Sequence, residues 1–243
     1  MACGGGNGET TAIPQTPYTN APGNTVVIGE GRGGTVFATP GGSACIQLGS
    51  ECVRPQDKCG AGARADVIVD SKGKVVQIVC YPNVTDPPVV DTTGPVDLDK
   101  QNNGVIRVDG ANDGVDIAGD VASKGNNVTV YGQGADVSII GGSVSADGNN
   151  FSLRGVTVKG NVTVTANNAT LVLCIIEGNL TITGNDAVVA ECTVKGNIIL
   201  KGNNDMLVSN KLQGTLSVDG KNTVCDGNVT LTGTPVTCGD GKK

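Results

Sequence analysis

The chain has 243 residues with 38 Gly and 9 Cys, lacks His and Trp, and carries a net charge of −6. Only 2% of its residues are aromatic, so its core must be built from Val, Ile, Leu and Ala. The missing histidines exclude His-based triads and His-ligated metals. No apolar run reaches the ~20 residues of a membrane-spanning helix, and the acidic balance offers no basic face to nucleic acid.

The opening Met1-Ala2-Cys3-Gly4-Gly5-Gly6-Asn7 resembles the mature end of a bacterial lipoprotein. The resemblance implies a lipid on Cys3, a removed signal peptide with Met1-Ala2 in its place, and attachment to a membrane in the bacterial cell envelope. In such lipoproteins Gly rather than Asp after the cysteine implies the outer membrane. Residues 1–23 hold Gly, Asn, Thr, Pro and Gln with almost no aliphatics, which predicts a flexible tether.

Residues 24–82 read as a small Cys-rich β module, expected to cap the N-terminal end of the domain that follows. Short strands are expected at 25–28 and 34–37, then a hairpin of 65–70 and 75–80 around Ser71-Lys72-Gly73-Lys74. Cys45, Cys52, Cys59 and Cys80 lie within 36 residues and suit two disulfides, with three pairings open. The alternative, a zinc site of four thiolates, lacks close Cys-x2-Cys knuckles. Pro82, Pro87, Pro88 and Pro95 then predict a semi-rigid linker over 83–98 and a domain boundary near 98.

From 99 to 243 the sequence is dominated by a repeat of 18 residues. Gly142, Gly160, Gly178, Gly196 and Gly214 open the units. The third position is Val144, Val162, Leu180, Ile198 and Leu216, and the fifth is Ala146, Val164, Ile182, Leu200 and Val218. The twelfth is Leu153, Leu171, Val189, Leu207 and Cys225, and the seventeenth is Val158, Ile176, Val194 and Leu212. Positions seven to nine are Gly/Asn-rich, as in Gly148-Asn149-Asn150. An earlier unit opening at Gly119 is longer by five residues. Alternate positions share a strand face, so each unit predicts about three short strands with aliphatics inward and corners of Gly and Asn, residues that tolerate positive φ. One unit cannot hide its inner face, so units must stack about 4.8 Å apart. The fold class is all-β.

Over residues 103–232 this pattern resembles the right-handed parallel β-helix of pectate lyases, phage tailspikes and bactofilins. The left-handed type repeats an aliphatic every six residues. Here the ninth position is Asn150, Asn168, Asp186, Asn204 and Asn222, so that rule fails and the right-handed form is expected. The resemblance makes Asn150, Asn168, Asn204 and Asn222 an asparagine ladder, with side-chain amides bonding coil to coil.

Cys174 and Cys192 share position fifteen, one coil apart, either as a disulfide or as a reduced packing pair. Cys225 and Cys238 bracket the last turns, where a bridge would close the open end. Asp109, Asp113, Asp116 and Asp120 form the densest acidic group and supply oxygens of the kind calcium takes. Their bland reading is solvated Asp in turns. Calcium is the only cofactor the sequence brings into view, and no catalytic residue set emerges. Thr163, Thr165, Thr181 and Thr183 form a regular array of only two ranks, too short for a lattice-matching face. Tyr131 and Phe151 are the only aromatics in the repeat region, too few for a sugar platform. The functional expectation is a non-enzymatic surface lipoprotein with a structural or adhesion role, whose partners are the membrane and a cell-surface protein or polysaccharide. The alternative is a calcium-dependent polysaccharide-binding or lyase-like solenoid.

Overall fold

The structure, a computed structural model, describes residues 58–59, 64–72, 74–81, 88–108, 110 and 114–239, together with the strand backbones Val26–Ile28, Gly34–Ala38, Ile46–Leu48 and Glu51–Val53. Cys3, the 1–23 tether and Cys45 lie outside the described residues, as does the side chain of Cys52.

Repeated strand positions stack into three parallel sheets, and the chain winds through them as a β-helix. The third to fifth positions form a seven-stranded sheet, from Val96–Asp97 through strands such as Val162–Val164 to Leu216–Val218. The eleventh to thirteenth form an eight-stranded sheet from Val89–Val90 to Val224–Asp226. The sixteenth and seventeenth form a six-stranded sheet from Ile139–Ile140 to Val229–Thr230. From Val144 onward, pairing is in register at a spacing of 18, as in Val144↔Val162 and Leu171↔Val189.

The repeat columns explain why the coils stack. Val162 and Val164 are buried while Thr163 between them is exposed, and Leu180 and Ile182 repeat the pattern. The inward columns merge into one aliphatic cluster from Leu98 to Leu212. Phe151 belongs to it and is fully buried, so it packs rather than displays. Burying a Val, Leu or Ile side chain contributes about 1.5–3 kcal/mol. No single coil can achieve that burial without its neighbours.

The corners divide labour differently from the expectation. Positive φ falls on the ninth-position residues Asn127, Asn150, Asn168, Asp186, Asn204 and Asn222, all between 56° and 59°. The glycines that open the units serve close approach instead. A Cβ on Gly178 would overlap the carbonyl of Gly160 in the preceding coil, and one on Gly196 would overlap that of Gly178. A second column of positive φ, at the fourteenth position, comprises Gly155, Leu173, Glu191, Ser209 and Gly227.

Two expectations about the N-terminal part change. The 83–98 segment is not simply a linker. Val89–Val90 pairs with Val105–Val108, and Val96–Asp97 pairs with Val121–Ser123, so solenoid pairing begins at residue 89. Pro95 is tolerated because it immediately precedes a strand at the sheet edge, where a missing donor does little harm. Nor does the module cap an end. The hairpin Arg64–Val69 and Val75–Tyr81, extended by Gly34–Ala38, packs on the outer face of the eight-stranded sheet. Ile68 and Val79 meet Val172, Val188, Ala190 and Val208 there. Asp66 accepts two hydrogen bonds from Arg154, Nε to Oδ2 at 2.8 Å and Nη2 to Oδ1 at 3.1 Å, in a buried ion pair.

Candidate functional site

The departures from 18 residues converge on one corner. Between the eight- and six-stranded sheets a regular coil needs only two connecting residues, as between Arg154 and Thr157. Residues 132–138 make a longer connection there, and one coil earlier Gly110 and residues 114–115 belong to the equivalent connection between Val108 and Asp116. In solenoids such insertions map to loops on one face. Ser138 is the described polar centre of the corner: its Oγ accepts the Gln133 N–H at 2.9 Å and donates to Val108 O at 3.5 Å. Thr157 Oγ1 donates to Ala135 O at 2.5 Å, tying the loop to the next coil.

Of the acidic group named from the sequence, Asp116 lies at this corner and Asp120 at the next one, between the six- and seven-stranded sheets. Asp109 and Asp113 lie outside the described residues. Asp116 is buried and its Oδ2 accepts the Ile139 N–H at 2.6 Å. Asp120 is exposed and its Oδ1 accepts the Ser143 N–H at 2.7 Å. Asp116 and Asp120 thus hold the next coil by its backbone. Asp136, exposed at the loop tip, adds an acid that the sequence reading did not single out. Among the described residues no group of three or more metal-ligating side chains comes together.

Amide ladders run along the solenoid in several columns. In the ninth-position column Asn150 donates to Asn127 Oδ1 at 2.7 Å, Asn204 to Asp186 Oδ1 at 3.1 Å and Asn222 to Asn204 Oδ1 at 3.1 Å, all exposed. The adjacent eighth position forms a longer run, Asn149, Asn167, Asn185 and Asn203, in which each Oδ1 accepts the next coil's backbone N–H. The second position does the same through Asn161, Asn179 and Asn197.

A buried ladder occupies the fifteenth position. Asn210 Nδ2 donates to Val189 O and to Asn228 Oδ1, each at 2.9 Å, while its Oδ1 accepts the Cys192 N–H at 2.8 Å. Asn228 repeats the pattern toward Leu207 O. Cys174 and Cys192 continue the same column as free thiols, with Sγ–H toward Leu153 O and Leu171 O. Burial, reinforced by the neighbouring Cys174, pushes the Cys192 thiol well up. Of the remaining cysteines, Cys59 is joined to Cys80 and Cys225 to Cys238.

One acid stands inside the solenoid. Asp205 fills the tenth-position place held by Phe151, Ala169 and Ala187 in earlier coils, and is 1% exposed. Its Oδ1 accepts the Ala187 N–H at 2.9 Å, whereas no hydrogen-bond partner among the described residues reaches the buried Oδ2. Burial pushes this carboxyl up to about 6, against the lowering effect of the Ala187 bond. Outside, Glu177 bridges Lys195 at 2.8 Å and Lys159 at 3.1 Å, and both lysines hold its carboxyl down. No helix of the described residues is long and apolar enough to cross a membrane. No family model, curated protein or solved structure matches the chain.

Proposed function

We propose that the chain is a non-enzymatic structural or adhesion lipoprotein of a bacterial cell envelope. A lipid on Cys3 holds it at the outer membrane, residues 1–23 act as its tether, and the β-helix presents a stiff lateral surface to a cell-surface protein or polysaccharide. The observation that supports this reading is the continuous apolar cluster that runs from Leu98 to Leu212. Eight rungs of the longest sheet give a rod of roughly 35 Å at about 4.8 Å per rung. Backbone and amide ladders run along it, which suits a spacer or a display surface. The test is metabolic labelling with an alkyne fatty acid, followed by envelope fractionation. Lipid on wild-type chain in the outer-membrane fraction, lost in Cys3→Ser, is the expected result. Unlabelled protein in the soluble fraction would retract the anchor.

The second reading, a calcium-dependent polysaccharide-binding or lyase-like solenoid, draws on the sequence grouping of Asp109, Asp113, Asp116 and Asp120 and on the enlarged corner beside Asp116. It predicts a rise in thermal midpoint with millimolar calcium that disappears in Asp113→Ala and Asp120→Ala. A midpoint indifferent to calcium removes it.

A further inference from the structure

The contacts of the 64–81 hairpin are distributed along the solenoid rather than gathered on one coil. Asp66, near one end of its first strand, is fixed to Arg154. Ser71, at its turn, is fixed to Asp226, with N–H to Oδ2 at 2.5 Å and Oγ to Oδ1 at 2.9 Å. Arg154 and Asp226 hold the same place in their coils, with Val172, Ala190 and Val208 between them in the register of the eight-stranded sheet. Four rung spacings cover about 19 Å and the five residues from Asp66 to Ser71 cover about 17 Å. The hairpin strand therefore runs along the solenoid axis, across the coil strands. Between the two polar fixings Ile68, Val76 and Val79 bury the apolar stripe of the intervening rungs.

A solenoid without such an element is bound by nearest-neighbour contacts alone and frays coil by coil from its ends. A crosspiece gripping the first and last of five rungs changes that, because no rung between them can leave without uncovering the stripe and stranding a buried charge. We propose that the 64–81 hairpin is a longitudinal strap that joins the five rungs from Arg154 to Asp226 into one cooperative opening unit.

Hydrogen exchange read by mass spectrometry on the full chain tests this, comparing wild type with Asp66→Asn and with Ser71→Ala. In wild type, strands Ser152–Arg154, Thr170–Val172, Val188–Ala190, Met206–Val208 and Val224–Asp226 are expected to exchange at one common slow rate. In Asp66→Asn that common rate rises at least tenfold, and the five strands separate into a gradient from the C-terminal end, while Val105–Val108 keeps its rate. Ser71→Ala, which removes the hydroxyl–carboxylate bond to Asp226 but keeps the backbone one and threatens folding least, shows the same gradient in milder form. A Ser71→Cys/Asp226→Cys bridge added to Asp66→Asn restores the common rate. A gradient already present in wild type, or faster exchange confined to 64–81 in both single variants, would overturn the proposal.

Discussion

Asp205 is the residue at which the repeat grammar and the physics disagree most. Its column is otherwise apolar or small, and a carboxylate there keeps one buried oxygen without a hydrogen-bond partner among the described residues. An ordinary Asp titrates near 3.9; this one is raised to about 6 in the folded chain. The folded state therefore binds the proton more tightly than the unfolded state. The associated stability is fully present below pH ~4 and is lost as pH rises through 6, by an amount of order 3 kcal/mol. Asp205→Asn keeps an oxygen for the Ala187 N–H and carries no charge. Its melting temperature should exceed that of wild type at pH 7.5, with the advantage shrinking as pH falls and vanishing only below about pH 3.5 in a thermal series. An equal gap at both pH values would refute this. Asp205 was visible in the sequence as a break in the tenth-position column, but its burial was not. The ninth-position Asn corners were legible because Asn tolerates the left-handed conformation. Leu173, Glu191 and Ser209 adopt it with side chains that give no such signal, so only Gly155 and Gly227 hinted at that column.

Among the elements, the three sheets were readable because alternate aliphatics recur at fixed offsets, and Val162–Val164 and Leu180–Ile182 lie where that pattern puts them. Of the exposed amide columns, the ninth was expected from the resemblance to β-helices, while the eighth and second were not singled out. The buried column did not, because its residues change from Val156 to Cys174 and Cys192 and then to Asn210 and Asn228; what they share is a place, not a chemistry. In Asn210→Ala the Cys192 N–H and the Val189 carbonyl lose their side-chain partner inside the core. Leaving buried polar groups unsatisfied costs about 1–3 kcal/mol each, so a loss of about 3 kcal/mol is expected, read from the urea midpoint at unchanged slope. A loss below about 1 kcal/mol would mean that neighbouring groups replace the amide. The strap's seat was also written in the sequence, as adjacent apolars Leu171-Val172, Val189-Ala190 and Leu207-Val208 where strict alternation would place a polar residue second. Two-sided burial of a strand requires something on its outer face.

For the molecule as a whole, the repeat number set the shape, while long-range docking lay beyond any periodicity. Asp66 and Arg154 are 88 residues apart, and no local pattern couples them. The C-terminal end illustrates the complementary case, since the pairing of Cys225 with Cys238 could be read from their position around the last turns. Their bridge holds Val236 against the final coil, and Val236 N–H donates to Asn228 O at 2.8 Å. Without the bridge, Cys225→Ala/Cys238→Ala should lose about 2–3 kcal/mol of local stability, as expected for a loop of that size. The loss should appear as faster exchange in Val229–Thr230 and in residues 231–238, beyond the strapped rungs, with Leu180–Ile182 unaffected. Uniform acceleration along the whole rod would instead show that the end cap governs global opening.

The enlarged corner at 132–138 has a consequence for how such a chain diversifies. The pairs Thr129↔Ser152 and Ile139↔Thr157 flank it with the ladder intact on either side. Extra length there is absorbed outside the dry interior, so the joint works as a splice point. New segments grafted at Asp136 meet solvent rather than scaffold, and the rod can change what it carries without relearning how to wind.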